Sequence, residues 1–189
     1  MAEKIPRWAD EQISEDMASL REVGENLRVE FKADFPTQIH ELAKELAAFG
    51  TSGGGFLFIG VNDNCESVGV EASNGDARDE LIRRVRGIVS MVKPELKSRI
   101  GFAVEDVVCI LFVEVSVQDE PVFYYNGRPY IRNNDESRPA TPEEVKESVW
   151  AHPSSSIRRE EQQIELEKKK HTFESDQQLL TDIRSRYWS

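Results

Sequence analysis

The chain has 189 residues, 31% of them charged, and a formal net charge of −11 at pH 7. That length leaves room for one domain with a real core plus an appendage. The acidity excludes a protein that coats DNA by general neutralisation of phosphates. Residues 153–189 hold seven of the 24 basic and seven of the 35 acidic side chains, so 17 basic groups face 28 acidic ones in residues 1–152.

No apolar run approaches the ~18 residues of a membrane span, and MAEKIPRWADEQ lacks a signal-peptide apolar region, so no membrane partner is expected. Two cysteines near predicted strands, Cys65 and Cys109, point to a reducing compartment, the cytoplasm. His40, His152 and His171 are scattered without metal-ligand spacing, which argues against zinc.

In chain order, residues 10–23 place Ile13, Met17, Leu20 and Val23 on one side of a helix that Gly24 ends. Residues 27–32 (LRVEFK) alternate as a strand, with Leu27, Val29 and Phe31 on one face and Arg28, Glu30 and Lys32 on the other. Ile39, Leu42, Ala43, Leu46, Ala47 and Phe49 form the stripe of a helix over 37–49, and residues 55–61 read as a buried strand.

Three glycines lie between that helix and strand. A phosphate loop needs the reverse order, because its anion sits on the free N–H groups of a helix N-terminus. Here the glycines follow a helix C-terminus, and no Gly-Lys-Ser/Thr is present, so no nucleotide cofactor is expected. Gly50 is read as the C-cap and Gly53–Gly55 as a tight connection. A turn NDNCES and a short strand near Val68–Val70 follow.

Asn74 or Asp76 caps a second long helix with Leu81, Val85, Ile88 and Val92 on its buried stripe, stopped by Pro94. Its other face carries Arg78, Arg83, Arg84 and Arg86. Strands are predicted near 99–105 and 107–115, then extended pieces at 121–124 and 128–132 joined by Asn126-Gly127. Thr141 and Pro142 start a helix over 141–151. The order of elements predicts an α+β (mixed α/β) fold with a central mixed sheet flanked by helices.

Three segments are expected: an N-terminal helix (1–23), a domain (24–152) and a helical tail (153–189). The tail begins with the linker His152-Pro153-Ser154-Ser155-Ser156 and carries a thin apolar seam of Ile157, Ile164, Phe173, Leu180 and Tyr187. That seam fits a coiled-coil or docked dimer helix and equally a solvated helix packed on its own domain.

GENLRVEFK, AAFGTSGGGFLFIGVND, KPEL and YIRNNDESRPATPEE occur in the order found in the Schlafen family's AlbA-type domain, which residues 24–150 resemble. That family is described as a DNA-binding module in bacteria. In its nuclease branch, two glutamates precede Phe-Lys and an aspartate closes a Gly-Val-x-Asp strand. The resemblance implies that Glu25, Glu30 and Asp63 act in divalent-metal-dependent cleavage of structured RNA such as tRNA. Mg²⁺ or Mn²⁺ suits such a carboxylate set and can activate water beside a phosphate. YIRNNDES departs from the family, where many relatives carry a glycine after the arginine.

Lys32, Arg132 and Arg138 are the expected nucleic-acid contacts, with Tyr124, Tyr125 and Tyr130 as candidate stacking surfaces. The corresponding clamp in vertebrate relatives uses two lobes. This chain has one, which predicts a homo-oligomer joined through the C-terminal helix. Two function classes stay open: an RNA- or DNA-binding protein with metal-dependent endoribonuclease activity, and a catalytically silent, self-assembling regulatory module in transcription or phage defence.

Overall fold

The computed structural model describes residues 5–152. The chain divides into two compact units, residues 1–148 and 149–189. The tail seam therefore lies outside the described residues. The first unit holds eight strands and the helices α1 (Glu11–Val23), α2 (Ile39–Thr51) and α3 (Gly75–Val89); α4 (Pro142–Ala151) runs from it into the second.

β1 (Val29–Lys32), β2 (Gly55–Ile59), β5 (Val108–Val115) and β4 (Ser98–Glu105) form one sheet in the order β1-β2-β5-β4. β1 and β2 are parallel and the other pairs antiparallel, so this is the expected mixed sheet. A second, antiparallel sheet has the order β3-β6-β7-β8, from Val92–Lys93, Tyr124–Tyr125, Arg128–Asn133 and Glu136–Pro139. Short strand pieces hid it in the sequence.

The two-residue period of the strands sorts the core. Val29, Phe31, Phe58, Ile110 and Phe112 face α1 and pack with Ile13 and Met17. Leu57, Ile59, Leu111 and Val113 face the other way and pack with Leu42, Leu46, Val85 and Ile88 of α2 and α3. The same cluster takes in Val92, Phe123, Tyr125 and Tyr130 from the second sheet and the segment leading into it. Residues 30 and 32, opposite Leu57 and Ile59, therefore look toward α2 and the second sheet.

Both edges of the first sheet are closed, which removes a template for strand addition. At β4, the Phe102 carbonyl accepts from the Asp10 N–H (2.7 Å), and the Val104 N–H donates to Ser14 Oγ (2.9 Å). At β1, side chains close the edge.

Gly50 is not the C-cap: α2 continues through Thr51, and Ser52 caps it. Gly50 lacks a side chain because a Cβ there would lie 2.7 Å from the Phe123 ring and 2.8 Å from Leu96. Gly53 and Gly54 make the connection at φ of +87° and +92°. Val68–Val70 forms no ladder, only the bridge between Val61 and Ser67 beside it. The extended piece expected at 128–132 is β7, and YIRNNDESRP continues it through a hairpin into β8, a strand the sequence did not predict.

Candidate functional site

Glu30 is buried, 4% exposed, on the polar-reading side of β1. Alternation correctly separates it from Val29 and Phe31, but its side faces the second sheet rather than water. There it meets Arg132 of β7, whose side chain is 0% exposed. Burial of both places a charge pair in a medium where each carries a heavy desolvation cost unless fully partnered.

Arg132 is fully partnered. Nε donates to the Asn26 carbonyl (3.0 Å). One terminal nitrogen donates to Glu45 (2.7 Å) and Ser137 Oγ (3.2 Å), the other to the Val29 carbonyl (3.1 Å) and Glu30 Oε2 (2.5 Å). The guanidinium also lies 4.6 Å from the Phe49 ring centroid. The expected phosphate contact at Arg132 is therefore replaced by an internal role: no N–H is left to donate.

Lys32 donates to the other Glu30 oxygen. Burial alone would lower the Lys32 pKa; the Glu30 hydrogen bond and charge, with Glu45 and Glu25 adding, reverse this and raise it. For Glu45, burial comes first and the charge of Glu30 second, and together they outweigh Ser137, Arg132 and Lys32 to raise its pKa. Glu25 is exposed, and its Oε1 accepts the outward Phe31 N–H (2.9 Å).

Asp63 stands apart. β2 ends at Ile59, so Asp63 does not end the strand; it is an exposed member of a turn built on Asn62. The Asn62 side-chain oxygen accepts from the N–H groups of Asn64 (3.0 Å) and Glu66 (2.9 Å). Among the described residues, no group of three or more His, Cys, Asp or Glu side chains is arranged to hold a metal ion. Glu25, Glu30 and Asp63 are not brought into such a group.

Arg138 forms a two-pronged pair with Glu144 (2.6 and 2.9 Å) at the start of α4. That hydrogen bond, with the Thr141 N–H next, holds Glu144 down to about 2. On α3, Arg83 pairs with Glu80 and Arg84 lies 3.9 Å from the Phe35 ring centroid.

Pairing in the second sheet locates another surface. Tyr125 and Tyr130 are buried, so the alternate residues point away from the core. One row is Lys93, Tyr124 and Pro129; the next pairs Ile131 with Arg138. Lys93 is exposed and the other four are half-buried. Lys93 and Arg86 line one cleft of about 550 Å³, with Arg99 on its wall. Arg99 is paired with Asp10 and Glu114, whereas among the described residues Arg86 and Lys93 form no ion pair. A larger cavity, about 1220 Å³, is lined by Trp8, Val70, Arg78 and Cys109 and is separate from the Glu30 cluster. Burial pushes the Cys109 thiol up to about 11, so it is not a reactive thiolate.

Glu45, Ser137 and Lys93 escaped the sequence reading. Arg132 shares the two-residue period with buried Tyr130, a signal that it points inward. No comparable signal marked Glu45, since a glutamate beside a helix stripe is ordinarily solvated.

These features define an α+β domain in which a buried ion network joins two sheets. A model of the family "Schlafen, AlbA_2" matches residues 25–141, and the chain belongs to that family. Among solved structures it is similar in fold to the DIP2311 protein from Corynebacterium diphtheriae, at 20% identity and a TM-score of 0.50, over 75% of this chain. The chain spans only 29% of that protein's length. The N-terminal domain of a RecG-related protein from Nitrosomonas europaea aligns at 22% identity over 56% of this chain and 73% of that one, with a TM-score of 0.38, too low to establish a shared fold. No match was found among curated proteins.

Proposed function

We propose that this domain binds nucleic acid, unpaired strands in particular, over the outward face of its second sheet. The observation that carries this is the cross-strand row of Lys93, Tyr124 and Pro129, next to Ile131 and Arg138. A half-buried tyrosine with a fixed backbone offers a ring for a base to stack on, and flanking cations meet the phosphates. Stacking accepts any base, so the surface selects for unstacked bases more than for sequence. Arg86, in the same cleft as Lys93, extends the cationic path. Family membership supports the same class of ligand.

The overall charge of −11 opposes polyanions at long range, so affinity is modest and local. Fluorescence anisotropy with short labelled RNA and DNA, single-stranded and duplex, tests this. Single strands bind more tightly than duplex, with a slope of log K on log salt of about −2 for about three phosphate contacts. Equal affinity for duplex and single strands contradicts stacking.

The finer reading, metal-dependent cleavage of structured RNA through Glu25, Glu30 and Asp63, rests on the family motif. The geometry lends it no support, because both Glu30 oxygens are held by cations and Asp63 lies on a separate turn. Incubation of tRNA with Mn²⁺, Mg²⁺ or EDTA tests it, with the exposed-site variants Glu25→Gln and Asp63→Asn as controls; metal-dependent products lost in both would establish it, and none from wild type would end it.

A further inference from the structure

We infer that Glu30 in this chain is the socket of an arginine clamp and not a cation ligand. Arg132 fastens the second sheet to the edge strand of the first, and Glu25, Glu30 and Lys32 close and neutralise that edge.

β1 is an edge strand, and in its pairing with β2 the backbone groups of residues 29 and 31 point outward. Left bare, they would be orphaned polar groups beside the core. Val29 exchanges backbone hydrogen bonds with Asn26 (3.0 and 3.4 Å), Glu25 takes the Phe31 N–H, and Arg132 adds a second donor on the Val29 carbonyl. The two ends of the Glu25–Lys32 stretch thus serve the strand between them. Arg132 reaches this edge from β7, whose backbone is also anchored through its N–H to Ser52 Oγ (2.9 Å) after α2. One side chain therefore joins β7, α2 and β1.

Within the buried pairs, Glu30 and Glu45 are met by Lys32 and Arg132, and the further negative charge, Glu25, is exposed and acts on Lys32 from outside. A hard cation on Glu30 Oε1 would compete with the Lys32 ammonium, and one on Oε2, or chelated by both oxygens, with a fully buried guanidinium. Releasing the latter breaks its other four hydrogen bonds or leaves it beside a dication. Glu30 is thus a positioning residue, acting through Arg132.

Full-length protein is titrated with MnCl₂ alone by calorimetry, as wild type and as Glu25→Gln and Asp63→Asn, two exposed sites whose exchange leaves the core intact. Thermal melts are taken of Glu30→Gln, Arg132→Gln and the double variant. The clamp predicts no saturable Mn²⁺ binding that either surface variant abolishes. It predicts that each single clamp variant lowers the melting temperature by about 10 °C, as expected for one broken buried pair. The double variant melts no lower than the worse single, because the partners act as one unit. A saturable Mn²⁺ isotherm lost in Glu25→Gln or Asp63→Asn overturns the inference, as does an unchanged melting temperature in Glu30→Gln. Should Arg132→Gln fail to fold, Arg132→Lys replaces it, keeping the charge and losing the fork; an unchanged melt there overturns the clamp too.

Discussion

A guanidinium carries five N–H donors, and in Arg132 all five end on acceptors within the protein. Removing Arg132 to test nucleic-acid binding would therefore disturb the fold first, and Lys93 is the cleaner probe. The cluster also gives a pH signature. Glu45 has a raised folded pKa, so folding disfavours its ionised form: it costs stability above that pKa, and the cost disappears as pH falls toward its ordinary value of 4.5. Glu45→Gln lacks this dependence. The melting temperature of wild type minus that of Glu45→Gln is therefore predicted to rise as pH is lowered from neutral toward 4.5; a flat or falling difference contradicts the assignment. Glu25, Glu30 and Lys32 were legible in the sequence as a group because a motif carries them. Their partners were not, since Arg132, Glu45 and Ser137 come from distant segments that only the packing of β7, β8 and α2 on β1 brings together.

Among the elements, strong periodicity and chemical punctuation were legible and short pieces were not. α1 begins at Asp10, whose side chain accepts the Ile13 N–H, and ends at Gly24. The β6–β7 turn places Asn126 and Gly127 at φ of 49° and 72°, the conformation a two-residue hairpin demands. The two-residue strands β3 and β6 carry too few side chains to show a period. Glycine in two settings gives opposite predictions. Gly87 lies exposed in the last turn of α3 with nothing within 4 Å of a Cβ, so Gly87→Ala stabilises, by at most about 1 kcal/mol. Gly54 sits at φ +92° with the Val115 carbonyl 2.5 Å from the place of a Cβ, so Gly54→Ala destabilises by about 2 kcal/mol or more. Melting curves of both variants check the signs, and a stabilised Gly54→Ala would mean that the connection is built differently.

At the scale of the whole molecule, the predictions concern assembly and ligand binding. We propose that the chain forms at least a dimer through the seam of Ile157, Ile164, Phe173, Leu180 and Tyr187, because so narrow an apolar stripe buries best against another copy. Light scattering of the full chain and of one ending at Ser156 is expected to give a dimer and a monomer; a full-length monomer contradicts this, and a truncated dimer moves the interface to the sheets. The central claim, that the second sheet presents its outer face to unpaired nucleic acid, is tested most directly by one measurement. It is the anisotropy-derived affinity of Lys93→Ala/Tyr124→Ala for a short single strand at fixed salt. Loss of one stacked base at roughly 1–3 kcal/mol and one phosphate contact predicts at least a tenfold weakening with an unchanged melting temperature. Binding as tight as wild type would contradict it.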